Sequence, residues 1–403
     1  MKKLSILIIT LLIIQATAIS QSCLPEGITF TTQSQIDSFQ INYPNCTEIE
    51  GDVIITDYNS GDITNLNGLN VLTSIGGNLE IGDYYLSNPS LPNLTGLDNV
   101  TSIGGDLTIL INFGITSLTG LEGLTSVAGD IEISGCYSLT SLSALGNLTS
   151  IGGSIEIRET SVSSLLGLEG LTSINGNLIL NSNMLSTLSG LDNLTSVGGD
   201  LFIEGNPFLS SLTGLDNVIS IGEGLFIGVN EALANLTGLE NLTSSGSVYI
   251  YTNEVLTSMM GIENLITIGG HLTIENNNAL SSLTGMTGLT SIDGNLAVGG
   301  NSLLISLTGL DNIDAGSIVH LHIQYNDLLS TCEVSSICNY LVNPNGSIYI
   351  NDNGPGCNSK TEVEEACGII SVENISFEEE VSIYPNPANQ EVFVSCNNGT
   401  KIT

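Results

Sequence analysis

Positive charge is what this chain most lacks. Its 403 residues carry 5 Lys+Arg against 41 Asp+Glu, a formal charge of −36. Such a chain repels phosphate, which excludes nucleic acid as a partner. It is repelled by anionic lipid for the same reason. There are only 3 His, and the 8 Cys include no C-x-x-C knuckle, so a zinc centre lacks its usual ligand set. No D-x-D-x-D-G loop offers calcium a site, and no cofactor is expected. Beyond the first residues there is no long apolar run, which leaves no membrane-spanning segment in the mature chain. Apolar residues themselves are plentiful, at 41%, enough to bury a core and to exclude a disordered chain.

The single apolar run sits at the start. Lys2 and Lys3 precede Leu4 to Ile14, and Ala16-Thr17-Ala18 supplies a small-x-small cleavage site. Residues 1–18 therefore read as a secretory signal, too short in its apolar part to span a bilayer. Its removal leaves Arg158, Lys360 and Lys401 as the only Lys and Arg. The remaining self-repulsion costs stability and keeps an apolar protein soluble. Cys23 has two readings, a lipid-modified cysteine or a disulfide partner for Cys46. The polar residue three before it argues for the second.

Self-similarity organises the middle of the chain. The unit L-T-G-L-D-N-L-T-S-I-G-G-D-L-x-I-x-x-N-x-x-L places its second apolar residue at Leu69, Leu97, Leu121, Leu145, Leu168, Leu191, Leu215, Leu239, Ile262, Met286 and Leu310. After a first step of 28 residues, every step is 23 or 24. Partial units flank these at Gly51 to Ile55 and Ser347 to Ile350. The alternating L-x-I segment predicts a short strand with Leu and Ile inward. No unit buries its apolar side alone, so the coils must stack. The expected fold is all-β: a right-handed parallel β-solenoid of about a dozen coils with disulfide-closed caps.

Three columns follow from the period. Asn99, Gly123, Asn147, Gly170, Asn193, Asn217, Asn241, Asn264, Gly288 and Asn312 alternate the two residues with easiest access to positive φ, which predicts a turn there. Asn112, Cys136, Thr160, Asn183, Asn206, Asn230, Asn253, Asn277, Asn301 and Asn326 lie three residues after the strand's last apolar position. A buried side chain there would satisfy backbone groups in the turn, with Cys136 a buried structural thiol. Asp98, Glu122, Glu169, Asp192, Asp216, Glu240, Glu263 and Asp311 form an acidic edge, read as solvated, with calcium recruitment as the alternative.

The I-x-G-x-L-x-I strands, as in Ile103-Gly104-Gly105-Asp106-Leu107-Thr108-Ile109, together with a Cys-bearing entry and a Cys-rich exit, resemble the receptor L-domain family over about residues 23–368. The resemblance implies a solenoid that binds varied partners and carries over no ligand residue. Four cysteines at the exit allow three connectivities. The resemblance implies Cys332–Cys357 and Cys338–Cys367. Val381-Ser382-Ile383-Tyr384-Pro385-Asn386-Pro387-Ala388 is similar to the opening of a type IX secretion C-terminal sorting domain. That implies export by the type IX machinery and a secreted, extracellular or outer-membrane address. The stretch from this opening to Thr403 is shorter than such domains usually are. The domain plan is then signal 1–18, N-terminal cap 19–50 with a helix over 33–42, repeats 51–331, Cys-rich cap 332–368, linker 369–376 and shortened sorting segment 377–403. Cys396 falls in the last.

The x of L-x-I points to solvent, and stacking makes it a row: Ile54, Glu80, Thr108, Glu132, Glu156, Ile179, Phe202, Phe226, Tyr249, Thr273, Ala297, His322 and Tyr349. Ile179, Phe202, Phe226 and Tyr249 fall on four consecutive coils with Tyr251 beside them. Only 19 residues are Phe or Tyr, so this concentration marks a candidate site for an extracellular glycan or protein. The plainer reading, compatible with the first, is an aromatic ladder that steadies the sheet. Glu132 and Glu156, one coil apart, resemble a retaining glycosidase pair in spacing. A sheet face offers neither a cleft nor a pKa-raising pocket, so no enzyme is expected. His320 and His322 share a face but need further ligands to hold a metal. A column of Thr95, Thr119, Thr213, Thr237, Thr284 and Thr308 is too interrupted for an ice-binding face. A binding solenoid is the first expectation, and a structural or adhesive rod without a discrete site is the second.

Overall fold

The computed structural model describes residues 21–369 apart from Asn59 and Leu86. The signal 1–18, the sorting segment with Cys396, and all of the linker but Ile369 lie outside the described residues.

Repetition in sequence becomes stacking in space. The L-x-I segments form one all-parallel ladder of about 14 turns, beginning with Ile28–Phe30 on Val53–Ile55 and ending with Leu321–Gln324 on Ile348–Asn351. The rung at Ile28–Phe30, inside the segment expected only to cap, is one reason for more turns than the dozen read from the period. Beside this ladder runs a shorter one of two-residue strands such as Ser74–Ile75, Ser102–Ile103 and Ser126–Val127. The Gly pair between the two strands turns the corner for steric reasons. A Cβ at Gly104 or Gly198 would come within 2.2 Å of the preceding coil's backbone. At Ser220–Gly228 and Ser244–Tyr251 the corner straightens, and the two ladders join through these long strands. Pairing still runs only from coil to coil, so the stack is open.

The strand Leu and Ile residues and the repeat's recurring Leu are fully buried in one continuous cluster. Removing one such Leu costs about 2–5 kcal/mol, because neighbours held by the next coils collapse only partly. The buried Asn column works as expected. Asn230 Nδ2 donates to the Ile203 carbonyl of the preceding coil at 2.8 Å, and its Oδ1 accepts from the Asn206 N–H at 3.1 Å. Chains of such bonds run from Asp57 to Asn112 and from Thr160 to Asn353. Cys136 stands between them. Its thiol is buried and only weakly placed, 3.7 Å from the Ile109 carbonyl, and burial pushes its pKa up to about 11.

One expectation is corrected. The Asn/Gly column from Asn99 to Asn312 is a turn position, but its residues do not adopt positive φ. The left-handed residues stand in two other columns: the glycines before the recurring Leu, from Gly96 at φ 118 to Gly309 at φ 117, and the residues just before the buried Asn column, from Ile111 at φ 54 to Tyr325 at φ 60. The Asn column instead ties coils together. Asn217 Nδ2 donates to the Asp192 carbonyl at 2.6 Å, and Asn241 does the same to Asp216. Glycine replaces Asn where the coils close in: a Cβ at Gly170 would lie 2.3 Å from the Leu148 carbonyl. The acidic edge also has a local purpose. Asp98, Asp216 and Asp311 each accept from the N–H of the left-handed Gly two residues earlier, at 2.7, 2.7 and 3.0 Å. These carboxylates close turns.

The ends are closed by helices and disulfides. The helix expected over 33–42 is two short ones, Gln33–Asp37 and Phe39–Asn42, broken at Ser38. Thr32 and Gln35 form a capping box, and Ile36 and Phe39 plug the first coil. Cys23 is bonded to Cys46. At the other end the helices Ser335–Val342 and Lys360–Ala366 cover the last rung, with Cys332 bonded to Cys357 and Cys338 to Cys367. No helix among the described residues is long and apolar enough to cross a membrane.

Candidate binding face

The outward row has the composition read from the period, and strand register places its members side by side. Ile179 stands opposite Phe202, Phe202 opposite Phe226, and Phe226 opposite Tyr249. The rings stack on one another, with centroids 4.2 Å apart for Phe202–Phe226 and 4.7 Å for Phe226–Tyr249, nearly parallel in both cases. Strand spacing of about 4.8 Å imposes this. Both faces of Phe226 are therefore covered by neighbouring rings, and the three rings are half-buried. The stack presents ring edges to solvent.

Tyr251 lies two residues along from Tyr249 and leans back across Gly228, where a Cβ would come within 2.4 Å of its ring. Its hydroxyl donates to the Glu204 carboxylate, two coils away. Burial and that carboxylate hold the Tyr251 phenol well above its ordinary range. Beside the stack, where the corner straightens, a groove of about 320 Å³ runs over Gly224, Gly246 and Gly270 between Phe226, Tyr249 and the carboxylates Asp200 and Glu223. The named side chains are two carboxylates, an apolar ring and one phenol, and none is cationic.

The two glutamates of the sequence-level catalytic reading do sit opposite each other. Each has its own partner: Tyr84 donates to Glu132 at 2.6 Å, and Arg158 lies 2.5 Å from Glu156. The expectation that no pocket raises their pKa is corrected for Glu156, whose carboxyl burial pushes up, with Arg158 opposing. Glu132 in turn drives the Tyr84 phenol up to about 12. The side chains of His320 and His322 are 6.4 Å apart. His320 Nδ1 is taken, accepting from the Ser347 N–H at 2.9 Å. Thr119, Thr213, Thr284 and Thr308 pair their hydroxyls with the Ser two residues earlier.

The family described as "BspA type Leucine rich repeat region (6 copies)" matches residues 79–208 and 204–308. The chain belongs to this BspA-type leucine-rich repeat family. Two solved structures are also similar to this leucine-rich repeat chain. One is the crystal structure of a TLR13–ssRNA13 complex, 17% identical, with a TM-score of 0.31, covering 81% of this chain and 57% of that one. The other is the Toll–Spatzle complex of Drosophila, 13% identical, with a TM-score of 0.28, covering 82% and 57%. The chain thus spans just over half the length of either, and likeness at this level supports no argument about ligand. None of the curated proteins matches the chain.

Sequence reasoning missed two features of this leucine-rich repeat face. One is a ridge of exposed apolar residues just after the buried Asn column, including Phe113, Tyr137, Met184 and Phe208, with Phe113 stacked on Tyr137. The other is the row two residues beyond the x row: Glu204, Gly228, Tyr251, Glu275, Gly299 and Gln324, one per strand. Its signal was present in the sequence as a repeated Glu-Gly-x read coil to coil.

Proposed function

We propose that this repeat solenoid is a secreted or surface-displayed binding protein that holds an extended protein segment on its outer strand face, centred on Ile179, Phe202, Phe226, Tyr249 and Tyr251. The carrying observation is the unbroken stack of Phe202, Phe226 and Tyr249 on a row that is otherwise mostly polar or small. A half-buried apolar stripe rimmed by carboxylates suits a partner that brings apolar side chains and positive charge. A glycan, the other ligand class for such a stripe, stacks on ring faces. Only the outermost faces of this stack are open to it, so the protein partner is favoured. The leucine-rich repeat is here a scaffold rather than an enzyme. The disulfides near both ends suit an extracellular address. The signal 1–18, export by the type IX machinery through the segment 377–403, and kinship to receptor L-domains complete the proposal.

The same stack favours a second reading, a structural or adhesive rod whose rings simply brace parallel strands. One comparison separates the two. The mature chain is presented to an array of extracellular proteins and polysaccharides beside a Phe202→Ala, Phe226→Ala, Tyr249→Ala variant whose fold is checked by circular dichroism. Saturable binding that the folded variant loses is the expected result. Binding that the variant keeps leaves the rod without a site on this stripe.

A further inference from the structure

Two places on the outer face share a backbone plan and differ in what fills them. Glu204, Gly228 and Tyr251 stand opposite one another on three successive strands, and Glu275, Gly299 and Gln324 do so on the next three. At the first, the Tyr251 ring lies over Gly228 and its hydroxyl satisfies Glu204. At the second, Gln324 turns the other way. Its amide nitrogen donates to Asn351 Oδ1 at 2.5 Å, and the Asn351 amide donates to the Asp352 carboxylate. That chain ends on a group that only accepts, which fixes the amide orientations and leaves the Gln324 side-chain oxygen, Oε1, unspent.

Nothing lies over Gly299. A Cβ there would meet no atom closer than 3.4 Å, and the nearest carboxylate oxygen, Glu275 Oε1, is at 3.9 Å. The neighbouring outward position is only Ala297, so a cavity of about 330 Å³ opens between Glu275 on one wall and His322, Gln324 and Tyr325 on the other. His322 Nε2 is shielded from water and has no hydrogen-bond partner. The Tyr349 ring meets the imidazole edge-on at 5.0 Å.

We propose that the cavity over Gly299 is a binding site for a guanidinium group, the arginine side chain of a partner segment lying on this face. Its walls stand on strands two spacings apart, about 9.6 Å backbone to backbone, which admits a flat group. Tyr251 over Gly228 is the molecule's own example of a flat donor laid over glycine against a glutamate. The lining offers the Glu275 carboxylate and the Gln324 oxygen as acceptors, in a chain of formal charge −36. A guanidinium brings five donors in a plane and stacks on rings, so it engages Glu275, Gln324 and the His322 face together. An ammonium could donate to the two acceptors but has no plane to lay on the His322 ring. Only the source of the arginine rests on the reading of this face as a docking surface for a protein segment; the cavity chemistry stands without it.

The test is an NMR titration of the full chain with N-acetyl-arginine methylamide, run beside its citrulline and tyrosine counterparts. The expected result is saturable shifts of the His322 ring signals with the arginine compound alone, and a His322 titration moved to lower pH when it is bound. Glu275→Gln should weaken binding about tenfold. Gln324→Tyr should abolish it, by laying a ring over Gly299 as Tyr251 does over Gly228. Tyr251→Gln should open a second arginine site there. No saturable shift, equal binding of citrulline or tyrosine, or arginine binding indifferent to both Glu275→Gln and Gln324→Tyr would overturn the proposal. The Phe202→Ala, Phe226→Ala, Tyr249→Ala variant should keep arginine binding. Loss of partner binding there, with arginine binding intact, separates the cavity from the aromatic stripe.

Discussion

Gly228 and Gly299 occupy the same place in the stack, flanked on one side by a glutamate and on the other by the residue that decides the outcome. Beside Gly228 that residue is Tyr251, and the face closes on itself. Beside Gly299 it is Gln324, which bonds along its own rung to Asn351, and the face stays open. In a parallel stack of near-identical coils the backbone is nearly constant, so surface function is written in rows across coils. A change at one position in one coil turns a satisfied carboxylate into a vacant acceptor. The fold tolerates this because the core and the turn carboxylates do not involve the outer row, and the Asn ladder uses only its backbone carbonyls, as Asn301 does at Gly299 and Asn326 at Gln324.

The sharpest way to break the comparison is to add one methyl group at each glycine. At Gly228 a Cβ would lie 2.4 Å from the Tyr251 ring, so Gly228→Ala must expel the ring and free Glu204. A destabilisation of about 1–3 kcal/mol is expected, as for other overpacked sites. At Gly299 the same change meets only ordinary contacts and restrains the unfolded chain, so Gly299→Ala should be neutral or stabilise by up to about 1 kcal/mol. Urea unfolding of the two variants reads the difference. Equal effects would mean that the two sites do not differ in packing.

A smaller effect isolates the hydroxyl from the ring. Tyr251→Phe keeps the ring over Gly228 and removes the donor to Glu204, at a cost of about 1 kcal/mol. It also carries a pH signature. The Tyr251 phenol is held above its ordinary value near 10, so the folded chain keeps a proton that the unfolded chain releases. Stability is then full below pH 10 and falls as the pH rises beyond it. The Phe variant should lose part of that alkaline fall in thermal melts between pH 9 and pH 11. Tyr84 and Tyr137, raised by glutamates, and Tyr340, raised by burial, keep the remainder. An unchanged alkaline profile would remove Tyr251 as its source.

How far the sequence reaches follows from what the period determines. A step of 23 or 24 residues fixes which side chains are neighbours, so the x row, the buried Asn column and the inward Leu and Ile could be read before any coordinates. The period does not say how a side chain leans. Tyr251 reaches Glu204 across 47 residues, over a glycine in the coil between, and only the stack geometry shows it. The acidic edge looked like solvated charge because its partner, the N–H of a glycine at φ near 115°, is a conformation rather than a residue pattern. The same blindness put positive φ on the Asn column, where Asn serves for its amide donor. The candidate face was thus legible as a row. Its closed and open glycines were not, because they differ in side-chain direction while sharing composition.

The smallest predicted effect lies at the acid end, on the open side of the comparison. Burial, and then the neighbouring His320, lower the His322 pKa, while Glu275 opposes them. The charged and titratable groups around the ring are His320 just before its strand, Tyr349 on the next strand, and Glu275 and Tyr325 lining the cavity. With the folded value below the ordinary 6.5, the unfolded chain binds more protons as the pH drops past that value, so stability falls from about pH 6.5 downward. His322→Phe keeps a ring against Tyr349 and should flatten that part of the acid limb, visible as a smaller drop in melting temperature between pH 7 and pH 5. The tyrosine of the closed site contributes nothing in this range, because its phenol stays protonated throughout. The two glycines therefore separate on one pH axis, one through a tyrosine above pH 10 and the other through a histidine below pH 6.5. An acid limb unchanged by His322→Phe would show that the imidazole beside the cavity is not held neutral by its surroundings, and would leave the open site with only its shape and its carboxylate to distinguish it.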